Sequence, residues 1–179
     1  MIEESVEARL RDYFDEACKE LHIDSSPYKF HFERTGHRFA TADNSAEMDG
    51  TILHINEEWV EAALHAHAEF DLMYVMYHEA RHIYQHYVIA DYAKRGKSSE
   101  LPVTIQSWMQ DFSNYTRNEG DEDSWRNNIS QSVEIDANAF ANAMLIKHHI
   151  GARIAPGQED IMKKATQRIA KKLWNATIS

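Results

Sequence analysis

Cysteine is nearly missing from this 179-residue chain: Cys18 stands alone, so no internal disulfide can form, and that usage fits a reducing compartment. Glycine and proline are also scarce, at six and three residues, too few for the turns of an all-β domain, so long helices should dominate. No stretch approaches the roughly 18 uninterrupted apolar residues of a membrane-spanning helix. Met1-Ile2-Glu3-Glu4 opens acidic, unlike the basic flank and apolar run of a secretory signal. A cytoplasmic protein with no membrane attachment is the expectation. Positive charge is in deficit as well. The 19 Lys and Arg face 29 Asp and Glu, and the net charge of −10 opposes nucleic-acid backbones over most of the surface, so no direct nucleic-acid binding is expected. Residues 151–179 run against that trend, with six basic residues against Glu159 and Asp160; at helical spacing they read as a solvated face. What is present is ordinary for a globular chain, 43 % hydrophobic and 27 % charged, and the length suits a single domain over 1–179 with a substantial core.

The periodicity predicts helix over 3–21, with Val6, Leu10, Tyr13, Phe14, Ala17 and Leu21 inward. Alternation predicts a strand over 28–33, a second short strand near His37–Thr41, and a third over 51–56 after the Asp49-Gly50 turn. The short links favour a mainly antiparallel three-stranded sheet. Helices follow over about 59–67 and 70–94, then a short one opened by Pro102, a long one from about Trp125 to His148, and a terminal one over about 158–175 with Ile161, Ala165, Ile169 and Leu173 inward. Residues 94–130 are the most polar part and carry an acidic loop, Asn118–Asp123. The fold class is therefore α+β and helix-rich, with the small sheet packed on the apolar helix 70–94. Trp108, Trp125 and Tyr115 either anchor the polar segment to the body or line a groove.

That apolar helix holds His78, Glu79, Arg81, His82 and His86. Burying ionisable groups costs several kcal/mol apiece unless each is paired or bound to metal. His78-Glu79-Ala80-Arg81-His82 is an HExxH sequence. Spacing i, i+4 puts both imidazoles on one helix face, a turn apart, where both reach one ion. Glu79 lies one step round, placed to hold a water and take its proton. Chance order yields HExxH in about 6 % of chains of this composition, so the motif needs its helical context. His86 has turned about 80° from His78 and reads as a cleft residue. Arg81 reads as the partner of a carboxylate such as Asp136.

A zinc site needs a third protein ligand and leaves a position for water. Glu134 and Asn138 share a face of the later helix among small residues, making Glu134 the leading ligand and Asn138 a residue that orients His78 or the carboxylate. The carboxylates of Glu119, Asp121, Glu122 and Asp123 are the rivals. His86, Tyr77 and Tyr115 are unranked candidates to steady a developing oxyanion.

The segments ILHIN, HEARHIYQ and EIDANAFANAML together resemble the ImmA/IrrE family of zinc metallopeptidases. The resemblance covers roughly residues 50–90 and 130–146. It implies a minimal gluzincin-like fold, one zinc ion per chain on His78, His82 and Glu134, and Glu79 as general base. It also implies an endopeptidase acting on a specific protein such as a repressor, with strand 51–56 lining the cleft. Residues 94–130 stand as an insertion or lid, and Met144-Leu145-Ile146-Lys147 replaces the family's Leu-Met-Pro. A non-catalytic interaction module stapled by a structural metal is the alternative.

Overall fold

The computed structural model describes residues 2–175. Helix α1 (Glu4–Glu20) buries Val6, Leu10, Phe14, Ala17 and Cys18 at helical spacing, and Glu4 and Glu7 lie in its first turn, where the helix dipole favours acids. Strand β1 (Lys29–Glu33) turns Phe30 and Phe32 toward α1, with the Phe30 ring edge-on to Phe14 at 5.5 Å.

Strands β2 (Ala46–Asp49) and β3 (Ile52–Asn56) complete a sheet of order β1-β3-β2. The expected second strand near His37–Thr41 is displaced to β2, and the sheet is mixed: β2 pairs antiparallel with β3, but β1 pairs parallel with it. The parallel pair needs no crossover. β1 and β2 run in opposite directions across a gap, and the tight β2–β3 turn at Gly50, in the left-handed region at φ 60°, folds β3 back into that gap. β3 is thus the central strand and β2 an edge.

Asn56 joins the sheet to the helices. Its Oδ1 accepts from the Glu58 N–H at 3.0 Å, capping helix α2 (Glu57–His65), and its Nδ2 donates to the carbonyls of Asn44 at 2.9 Å and Thr41 at 3.2 Å. One fully buried amide therefore pins the loop before β2 to the start of α2.

Helix α3 (Glu69–Arg95) carries acids in its first turn and Lys94 and Arg95 in its last, and stops at Gly96, whose φ of 68° gives a left-handed cap. It packs against α1, α2 and α6, and against α4 (Pro102–Ser113), which places Ile105 and Trp108 in the core. The polar segment is thus anchored by Trp108. The helix expected over 125–148 is two: α5 (Glu122–Ile129) and α6 (Ser132–Lys147). Gln131 is extended between them, and the cap of α6 comes from α4, where Asp111 accepts from the Ser132 N–H at 2.6 Å and the Val133 N–H at 3.2 Å. α6 buries Ala137, Ala139, Ala141 and Ala143, and these small side chains permit its extensive packing on α3. Helix α7 (Glu159–Trp174) packs on α6 through Met162, Ala165, Thr166 and Ile169. Ile161, expected inward, is 47 % exposed because Met162 takes the facing position. No helix among the described residues is long and apolar enough to cross a membrane.

Candidate metal centre

The packing of α3 on α6 brings His78, His82 and Glu134 to one point. His78 Nε2 lies 3.3 Å from Glu134 Oε2, His82 Nε2 lies 3.3 Å from Glu134 Oε1, and the two Nε2 atoms are 2.9 Å apart. Donors held at about 2.0–2.1 Å around a tetrahedral cation sit about 3.3 Å from one another, so the two nitrogen–oxygen separations match a coordination shell, and the two nitrogens lie closer, at hydrogen-bond distance. All three side chains are largely buried, 15 %, 12 % and 5 % exposed. They lie close enough to bind a metal ion.

The surroundings fix which nitrogens face that point. His82 Nδ1 is 2.8 Å from Gln85 Oε1, and the Gln85 amide is oriented because its Nε2 donates to the Val133 carbonyl at 2.9 Å and to Asp136 at 3.1 Å. His78 Nδ1 is 2.9 Å from Asn138 Oδ1, which also accepts from the Tyr74 hydroxyl at 2.7 Å. Each Nδ1 therefore carries a proton, and each Nε2 is the atom left facing the cluster, free to take either a proton or a cation. Two imidazole nitrogens and a carboxylate crowded within 3.3 Å in a buried setting call for a shared proton or a cation between them. The donor set fits a divalent transition metal, for which imidazole and carboxylate are usual ligands.

Protonation follows the same geometry. Burial by itself would raise the Glu134 pKa, but the His82 and His78 rings hold it well below the usual carboxylate range. Burial opposes charge on His82, yet the neighbouring Glu134 carboxylate outweighs it and pushes the pKa up to about 9. Glu79 behaves oppositely. It is buried at 6 % exposure, and desolvation raises its pKa, with His78 and His82 opposing and Glu134 and Glu47 adding to the rise.

The centre opens into a cleft of about 790 Å³. Its walls come from α3 and α6, from edge strand β2 with the loop before it, and from α5 and the loop carrying Tyr115. Glu79 lines this cleft beside His78, His82 and Glu134. So does His86, its ring stacked on Phe112 at 4.1 Å. The Tyr115 hydroxyl donates to Glu134 Oε1 at 2.5 Å and accepts from Asn128 Nδ2 at 3.2 Å. Burial and the adjacent carboxylate push the Tyr115 pKa up, so the hydroxyl stays protonated. Trp125 also lines the cleft, whereas Trp108 does not.

Other candidates fall elsewhere. Tyr77 points to α1, donating to Glu16 at 2.9 Å and stacking on His148, so it has no part in the cleft. Arg81 is buried in a two-pronged pair with Asp136, at 2.8 and 3.3 Å, under the Tyr84 ring. Of the rival carboxylates, Asp121 caps α5 and Glu122 pairs with Arg126, while Glu119 lines the cleft outside the cluster of ligands. The strand expected to line the cleft, β3, is covered on both sides, and β2 takes that place. Gln85 and Tyr74 went unread in the sequence, although Gln85 at i+3 from His82 and Tyr74 at i−4 from His78 share the ligands' helix face.

Comparison with protein-family models, with curated proteins and with solved structures finds no match to this chain.

Proposed function

We propose that this protein is a zinc-dependent endopeptidase of the gluzincin type, similar to the ImmA/IrrE family, acting on a specific protein. The observation that carries the reading is the convergence of His78 Nε2, His82 Nε2 and Glu134 at the floor of a 790 Å³ cleft that Glu79 also lines. His78, His82 and Glu134 would hold one zinc ion. When bound, zinc supplies Lewis acidity, lowering the pKa of water toward neutrality and polarising a carbonyl.

The remaining chemistry belongs to the chain. Glu79 takes a proton from the attacking water on its carboxylate, and the water oxygen forms the new bond to the scissile carbonyl carbon. As the C–N bond breaks, Glu79 returns the proton to the leaving amine nitrogen, so atoms and charge balance. Desolvation favours the protonated carboxyl at the point between these two transfers. The protonated Tyr115 hydroxyl and the His86 ring both line the cleft, each ring stacked on Phe112, and are the side chains available to steady the oxyanion. Among the described residues strand β2 pairs with β3 alone, so its outer edge is available to an extended peptide, whose backbone would extend the sheet. The fully buried Cys18 thiol suits a cytoplasmic protein.

The test compares wild type, chelated wild type and Glu79→Gln on a proteome-derived peptide library, with new termini read by mass spectrometry. Glu79→Gln should retain the metal and lose at least about 100-fold in cleavage rate. Metal-dependent stability with no cleavage by the wild type would support instead a module stapled by a structural ion.

A further inference from the structure

The outer face of the sheet carries a second group of metal-ligating side chains that the cleft does not use. His31 on β1 and His54 on β3 are directly paired across the parallel strands, so both rings leave the same face, centroids 5.3 Å apart and nearly perpendicular. Glu33, two residues beyond His31 and therefore on the same face, reaches diagonally to His54, with Oε1 2.7 Å from its Nδ1. One nitrogen of each ring and one Glu33 oxygen lie within 4.8 Å of one another. The His54 and Glu33 side chains are only 12 % and 21 % exposed, whereas His31 is exposed, so the cluster is open to solvent on the β1 side.

We propose that His31, Glu33 and His54 form a second site for a divalent transition cation, weaker than the cleft centre and built from none of its residues. Two imidazoles and a carboxylate are a zinc-class donor set. The donors already lie within 4.8 Å of one another, against a spacing of about 3.3 Å in a tetrahedral shell, a difference that side-chain rotation covers without moving the strands. Two features set the weaker affinity. The amide oxygens that align both rings in the cleft centre have no counterpart here among the described residues, and such partners are commonly worth 10–100-fold in affinity. Arg38 also competes for Glu33, its Nε lying 3.4 Å from Oε1. It is not stranded when a cation takes Glu33, because it also contacts Glu47 at 3.4 Å and Asp49 at 3.1 Å. Arg38 and Glu47 both line the cleft, so filling the outer site removes one of the three carboxylates that hold a cleft wall in place.

The test is a zinc titration of the full chain against a chromophoric chelator, with elemental analysis of the filtered protein. Wild type should bind two ions, the second at least about tenfold more weakly. The doubly substituted His31→Ala/His54→Ala protein and Glu33→Gln should each keep the tight ion and lose the weak one, and His78→Ala/His82→Ala should do the reverse. Glu33→Gln preserves shape and guards against a folding defect in the double variant. Saturation of wild type at one ion, or persistence of the weak ion without His31 and His54, overturns the proposal. Retention of both ions by His78→Ala/His82→Ala would count against the cleft centre and leave this site standing.

Discussion

Metal binding at the cleft should be coupled to the release of a proton, and the size of the coupling follows from the triad itself. In the metal-free protein Glu134 holds a proton on His82, whose pKa is pushed up to about 9 against the opposing effect of burial. A cation and that proton compete for the same Nε2 lone pair. Below the raised pKa the proton must leave when metal enters, so affinity should climb about tenfold per pH unit; above it no proton is displaced and the curve should flatten. Between about pH 6.5 and 8.5 the apparent affinity for zinc should therefore rise by about 100-fold. Competition titration against a chelator across this range measures the slope. Calorimetry in buffers of different ionisation enthalpy counts the protons directly, and should find about one released per ion at neutral pH. An affinity flat over the range, with no proton released, would refute the proton that Glu134 is argued to hold on His82 Nε2 in the metal-free protein.

Three further outcomes follow from the same geometry. Asn138→Leu and Gln85→Leu should each weaken zinc binding by about 10–100-fold, read by the same titration, because each removes the amide oxygen that orients one ring. Arg81→Met should destabilise the fold by about 3–5 kcal/mol in urea denaturation, since it leaves Asp136 buried without its principal cation; the double change with Asp136→Leu should recover part of that loss. Cys18 is fully buried, and desolvation pushes its thiol up to about 12, so iodoacetamide should label it only at the rate of unfolding.

The helical part of this architecture is written locally. Val6, Leu10, Phe14 and Ala17 recur at a period that only a helix buries on one side, and Pro102 and Gly96 mark boundaries through their backbone preferences. The His78–His82 spacing and the shared face of Glu134 and Asn138 are local as well, which is why the ligand set is legible before any coordinates. What escaped depends on distant partners. The break between α5 and α6 is set by Asp111, on another helix, and nothing near Gln131 signals it. Strand β2, Ala-Glu-Met-Asp, has no β-branched residue and becomes a strand only because β3 offers it an edge. The parallel pairing of β1 with β3 follows from chain routing around that hairpin. Tyr77 illustrates a different error: one position before His78 it points about 100° away, whereas Tyr74, a full turn earlier, shares the ligands' face. The outer cluster of His31, Glu33 and His54 depends on strand register, which alternation by itself does not supply.

The central claim is that one ion is held between α3 and α6. Anomalous diffraction at the zinc edge from crystals of the zinc-loaded protein tests it most directly. The strongest peak should lie about 2.0–2.1 Å from the Nε2 atoms of His78 and His82 and from a Glu134 oxygen. No peak within bonding distance of those three side chains, in crystals that bind zinc elsewhere, would contradict it.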